Sequence, residues 1–121
     1  MRYKVSKIRW RSSGNKYGAR KVKLDGYIFD SFGESRRYGE LKLLEKQGLI
    51  WGLMIYPHFD LTVEGQQICK YIADFGYSDN RGYHVEDFKG VLTPIFRIKR
   101  KLFKAIRGFD IEIVTASKRR K

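Results

Sequence analysis

The spacing of apolar positions divides the chain into short strands and two helices. Val22 to Phe29 alternates loosely about Asp25-Gly26, a dipeptide suited to a tight hairpin turn, and predicts two short strands. Ser31 opens a helical pattern from Phe32 to Gln47, which Gly48 ends. Glu34, Tyr38, Leu41 and Leu44 or Glu45 share one face of that helix. Leu49 to Leu61 is apolar with a break at Pro57, reading as a strand, a loop and a second strand. Glu64 to Gln67 reads as a turn. Ile68 to Tyr77 then reads as one strand, Ser78 to Gly82 as a turn, and Tyr83 to Lys89 as the returning strand of a hairpin. Thr93 is placed to cap a second helix, with Pro94 at its first position and Gly108 beyond its end at Arg107. Ile95, Ile98, Leu102 and Ile106 form its core-facing stripe. Phe109 to Thr115 alternates as a last strand. This order predicts an α/β or α+β domain, with a central mixed sheet flanked by helices.

Composition adds limits. A chain of 121 residues, 42% hydrophobic, supports one packed domain and not two. That domain is expected over residues 21–115, between a flexible basic arm at 1–20 and a basic tail at 116–121. No apolar run reaches membrane-spanning length, which predicts no membrane partner. Met1 to Lys7 has no apolar run behind its charges, which predicts no secretory signal. Cys69 is the single cysteine, so a cysteine-rich zinc site is excluded and a reducing cytosol fits.

Charge changes the picture more. Lys and Arg number 26 against 13 acids, a net charge of +13. Such an excess attracts phosphate polyanions and displaces their counterions. Residues 1–24 carry nine of the basic residues, Lys16 and Arg20 among them, and no acid. Arg97, Arg100, Lys101, Lys104 and Arg107 recur at helical spacing on the second helix, a face suited to a nucleic-acid backbone.

Against this background some carboxylates sit inside apolar segments. Asp74 lies in Tyr71-Ile72-Ala73-Asp74-Phe75. The following strand reads His84-Val85-Glu86-Asp87-Phe88-Lys89. Strand alternation puts Asp87 and Lys89 on one face and Glu86 with Phe88 on the other. The hairpin turn can place Asp74 opposite or diagonal to Asp87. Two adjacent carboxylates repel unless a cation intervenes, and hard divalent ions take oxygen ligands. A lysine beside them can orient an attacking water and offset charge building on phosphorus. Glu34 starts the apolar face of the first helix and can point toward the same sheet, although it also completes a capping box with Ser31. Glu40 falls about 240° around the helix on a solvated face. His58 and His84 have no cysteine partner, and His84 is taken as structural. Trp10, Trp51, Tyr56 and Phe59 can stack on bases, but each suits the core as well.

These residues resemble the PD-(D/E)XK nuclease superfamily. Asp74 matches the motif's first Asp, with Ala73 where a proline often stands, and Asp87 and Lys89 match its (D/E)-X-K. From Lys16 to Val114 the chain is also similar to a family of small phage and prophage proteins. The carrying stretches are Lys16-Tyr17-Gly18-Ala19, Phe29-Asp30-Ser31 with Glu34 and Arg37-Tyr38, Glu40 to Leu44, Tyr71 to Phe75 and Val85 to Gly90. The resemblance implies a restriction-endonuclease-like core. It implies a DNA endonuclease in which Asp74, Asp87 and Glu34 hold Mg2+, with Mn2+ able to substitute, and Lys89 completes the catalytic set. It also implies a phage-encoded protein acting in a bacterial cytoplasm. Small phage members of the superfamily often resolve Holliday junctions as homodimers, so branched DNA is the expected partner. A nuclease for linear duplex or single strands, and a non-catalytic DNA-binding protein on the same fold, are the alternatives.

Overall fold

The computed structural model describes residues 21–115. The arm at 1–20, with Lys16, Arg20 and Trp10, and the tail at 116–121 lie outside the described residues.

Strands β1 (Val22–Leu24) and β2 (Tyr27–Phe29) pair as the first hairpin, turning at Asp25 and Gly26. Both turn residues have positive φ, +53° and +82°, as a two-residue type I′ turn demands. Helix α1 runs Phe32–Lys46, capped by Ser31, whose Oγ accepts the Glu34 N–H at 3.1 Å. It buries Glu34, Ser35, Tyr38 and Leu41. Strands β3 (Trp51–Ile55), β4 (His58–Val63), β5 (Gln66–Ile72), β6 (Phe75–Asp79) and β7 (Gly82–Phe88) follow. Helix α2 (Pro94–Arg107) leads into β8 (Glu112–Val114).

The central sheet has the order β3-β6-β7-β8. The first two pairings are antiparallel, and β7 with β8 is parallel. A parallel neighbour requires a crossover, and α2 supplies it. The fold is therefore α+β with a mixed central sheet and two helices, as the apolar pattern predicts.

Strand alternation divides the core in two. Phe75, Tyr77 and Glu86 face α1, together with Phe29, Tyr38, Leu41, Ile55 and Tyr56. Val85 and Asp87 face the other way, toward Phe96 and Phe103 of α2, Leu61 and Tyr71 of the β4–β5 hairpin, and Ile111.

Three readings need correction. Ile68 to Tyr77 is not one strand. It breaks at Ala73 and Asp74 into β5 and β6. The turn predicted over Glu64 to Gln67 is confined to Glu64-Gly65, since Gln66 already pairs with Val63. The core-facing stripe of α2 is also rotated. Ile95 and Ile98 are 66% and 67% exposed, while Phe96 and Phe103 are buried. Leu102 and Ile106 keep their place at the edge of the core. Lys99 donates from Nζ to the Lys70 carbonyl oxygen, so the helix lies against β5.

The strand break has a physical cause. β3 with β4 and β5 with β6 are the arms of one long hairpin, since Ile55 faces Phe75 before the break and His58 faces Ile72 after it. Pro57 has no N–H to give a ladder, and Tyr56 sits at φ +58°. The hairpin kinks there, and two bonds hold the kink: Tyr56 N–H to Asp74 O (2.9 Å) and Ala73 N–H to Pro57 O (3.1 Å).

His84 ties the far end of the sheet. Its Nδ1 meets Glu112 at 2.6 Å and its Nε2 meets Asp79 at 2.9 Å, linking β7 to β8 and β6. Desolvation opposes the charged ring, but the bonds to Glu112 and Asp79 outweigh it and hold the pKa above the ordinary 6.5. A raised folded-state pKa gives stability that is complete below the ordinary value and lost as pH rises through the folded-state value. The melting temperature, followed by circular dichroism from pH 5 to 9, is therefore expected to fall across that window in the wild type. The fall is expected to flatten in His84→Gln. Identical pH profiles would remove this role for His84.

Candidate functional site

The kink places Asp74 against the strand that carries Asp87, while Glu34 approaches from α1. Asp74 stands at the break, 1% exposed. Its N–H donates to the Glu86 carbonyl oxygen (3.1 Å), and its own carbonyl is turned to Tyr56. The next ladder donor, Phe88 N–H, is taken by the Asp74 side chain, at 2.7 Å from Oδ2. The carboxylate thus replaces a backbone carbonyl and lies along the ladder. The regular β6–β7 register ends at the Phe75–Glu86 pair, and Asp74 lies just beyond it, bonded to β7 through the Glu86 carbonyl and the Phe88 N–H.

Asp87 is 2% exposed and faces the α2 layer. Its Oδ2 accepts the Tyr71 hydroxyl at 2.5 Å, and its Oδ1 lies 3.6 Å from Lys89 Nζ. Lys89 shares that face, as alternation predicts, and its ammonium sits 4.4 Å from the centre of the Phe96 ring. That cation–π contact fixes the lysine on the α2 side. Burial, with the neighbouring Asp87 carboxylate, pushes the Tyr71 pKa well up, so the phenol keeps its proton and donates.

Glu34 comes from the α1 layer and is 5% exposed. The Tyr56 hydroxyl donates between the Ile28 carbonyl oxygen (3.1 Å) and Glu34 Oε1 (3.3 Å). Burial and the nearby Glu34 and Asp74 carboxylates raise the Tyr56 pKa. The carboxylate therefore points into the protein, while Ser31 caps the helix backbone. Glu40 is exposed and pairs with Arg37 (3.0 Å), as its helical phase predicts.

Other features lacked a usable sequence signal. Glu86, on the opposite face from Asp87, is a structural anchor. Arg37 grips it through Nε (2.8 Å) and Nη2 (2.6 Å), and the Tyr77 hydroxyl donates at 2.5 Å. A buried carboxylate needs such a fork-shaped partner. Alternation excludes Glu86 from the site, but Arg37 is 49 residues away and nothing local points to it. Gly33 lets α1 approach β7, because an added Cβ would fall 2.3 Å from the Phe88 ring. Tyr71 reaches Asp87 only because the hairpin bends.

The cations of α2 are partly engaged. Leu92, Phe96, Arg97, Arg100, Lys101, Lys104 and Asp110 line a groove of about 380 Å³. Asp110 pairs with Arg100 (3.1 Å) and Lys104 (3.9 Å). Arg107 rests over the Phe59 ring at 5.3 Å. Arg97 and Lys101 are exposed. Of the other aromatics, Tyr56 is buried, Phe59 is half-buried, and Trp51 is exposed on the edge strand β3.

Among the described residues, no three acidic, histidine or cysteine side chains converge closely enough to form a ready-made metal cage. The Asp74–Asp87 pair nevertheless suits a hard divalent ion by its chemistry. Magnesium takes one or two protein carboxylates and completes its shell with water and phosphate oxygens.

The comparisons with known proteins add a family. Residues 14–119 match the family described as Protein of unknown function (DUF1064). The chain belongs to this family. The match spans Glu34, Asp74, Asp87 and Lys89 together with the basic groove. No curated protein and no solved structure matches the chain.

The close approach at Gly33 yields a test. Gly33→Ala is expected to destabilise the protein by about 1–2 kcal/mol, the overpacking against Phe88 exceeding the helix-propensity gain. Urea denaturation measures it. Unchanged or increased stability would show that α1 has room to withdraw from β7.

Proposed function

We propose that this chain is a metal-dependent DNA endonuclease that hydrolyses phosphodiester bonds, with branched DNA of the Holliday-junction type as its substrate. One observation carries the reading. Asp74 and Asp87 are both buried, Asp74 bonded to the Phe88 N–H next to Asp87 and Lys89 3.6 Å from Asp87, in a protein of net charge +13. A basic protein gains nothing in solubility or phosphate attraction from carboxylates held in its core, and their burial is costly unless they are paired or bind a cation.

In this reading Asp74 and Asp87 hold Mg2+, or Mn2+ in its place, and Glu34 joins them directly or through a water. The ion supplies Lewis-acid polarisation of the scissile phosphate and a more acidic water. Lys89, fixed between Asp87 and the Phe96 ring, orients the attacking water and offsets charge developing on phosphorus. The groove along α2 holds the DNA backbone through Arg97, Lys101 and, once Asp110 is displaced, Arg100 and Lys104. Lys16 and Arg20 add contacts from the basic arm.

Paired nicks in a junction need two active sites, so the protein acts as a homodimer. The exposed Leu49, Trp51 and Met54 at the sheet edge are the surface for the second copy. Among the described residues no helix is long and apolar enough to cross a membrane. A phage-encoded nuclease of this kind works in the cytoplasm of the bacterial host.

A second reading has its own support. Asp74 Oδ2 and Asp87 Oδ2 both serve the fold, one on Phe88 N–H and the other on the Tyr71 hydroxyl. Such acids would persist in a non-catalytic DNA-binding protein that keeps the fold.

Cleavage separates the two. Wild-type protein with Mg2+ is assayed on a four-way junction, a fork, plain duplex and single strand. The junction is expected to be cut fastest. Asp74→Asn and Asp87→Asn are expected to reduce cutting to background while retaining binding, and Lys89→Ala to slow it about 100-fold. Equal cutting of all four substrates would remove the junction preference. Binding without cutting, under Mg2+ or Mn2+, would leave the non-catalytic reading.

Asp110 gives an independent check on the groove. Removing its charge releases Arg100 and Lys104, and an exposed pair of this kind is worth about 0.2–1 kcal/mol. Asp110→Asn is therefore expected to bind DNA about two- to fivefold more tightly, measured by fluorescence anisotropy at fixed salt. Unchanged affinity would place the DNA elsewhere.

A further inference from the structure

We propose that Tyr71 is a positioning residue for Asp87, its hydroxyl setting which carboxylate oxygen is presented to a divalent cation. The inference rests on the metal-dependent reading of the site.

Tyr71 stands near the end of β5, just before the kink, and is 4% exposed. Its ring is held among Phe59, Phe96 and Phe103, with centroids 6.2, 6.2 and 5.9 Å away. Three aromatic neighbours from β4 and α2 fix the ring, so the O–H is delivered to a fixed point. That point is Asp87 Oδ2, at 2.5 Å. The other oxygen, Oδ1, faces the Lys89 ammonium at 3.6 Å. The two oxygens of one carboxylate thus have different duties.

The outer torsion of an aspartate is broad, so a carboxylate without such a donor samples many orientations. A cation binding it would have to arrest that motion. Groups that orient a ligand from behind are worth about 10- to 100-fold in metal affinity. Tyr71 reaches Asp87 from the bent half of the long hairpin. The orientation of the acid is therefore set by the kink as well as by its own strand.

The test reads cation binding rather than cleavage. Mn2+ is titrated into wild type, Tyr71→Phe and Asp87→Asn without DNA, and free Mn2+ is followed by electron paramagnetic resonance. Tyr71→Phe is expected to bind about tenfold more weakly, with an unchanged far-ultraviolet circular dichroism spectrum. Binding equal to wild type would overturn the role of Tyr71 and leave the metal reading intact. A wild type that binds no Mn2+ would overturn the metal reading itself. A second measurement needs no substitution at Tyr71. The buried hydroxyl proton is expected as a downfield proton resonance that is lost in Asp87→Asn and moves when Mg2+ is added to wild type. A resonance unmoved by saturating Mg2+ would also overturn the proposal.

Discussion

The architecture turns on the missing N–H of Pro57. A proline cannot donate to a ladder, so the long hairpin of β3–β4 and β5–β6 cannot stay flat at that point. It bends, and the register carries through because Tyr56 and Ala73 still donate across the bend. The outer half folds toward α2 and brings Leu61 and Tyr71 into the second core. The inner half stays in the central sheet. Asp74 lies at the corner, where its backbone carbonyl is drawn toward β3 and its side chain must take over the bond to β7.

The buried acids divide by face. Glu86 looks toward α1 and is neutralised there by the Arg37 fork and the Tyr77 hydroxyl. Asp87, one residue on, looks toward α2 and meets a phenol and an ammonium shared with an aromatic ring. The first arrangement is closed and directional, as a permanent anchor requires. The second pairs a carboxylate with a lysine that is 28% exposed, which leaves its ammonium open to solvent. Neighbouring acids in one strand thus receive opposite treatment because the pleat sends them into different layers.

Legibility in the sequence followed the range of each signal. Local signals held: Thr93, Pro94 and Gly108 bound α2, and Ser31 caps α1. Strand alternation correctly put Asp87 with Lys89 and set Glu86 apart. The helical phase correctly turned Glu34 inward and Glu40 outward. The break at Asp74 was hidden because Ile68 to Tyr77 is continuous in apolar character, and its cause lies on the partner arm at Pro57. The buried stripe of α2 departs from the aliphatic pattern, which favours Ile95 and Ile98. The aromatic wall of Phe59 and Tyr71 instead selects Phe96 and Phe103, spaced seven apart. The grip of Arg37 on Glu86 and of Asp110 on α2 depends on contacts that no local pattern announces.

The turn at Glu64 and Gly65 closes the outer half of the hairpin, six strand residues beyond the bend. At about 3.3 Å per residue that is roughly 20 Å from the corner that holds Asp74. The tip carries no acid of the site and no cation of the α2 groove. A change in the length of that turn therefore leaves the corner and its bonds to β7 in place. The corner admits little change, because its backbone bonds and the Asp74 carboxylate all close on one point.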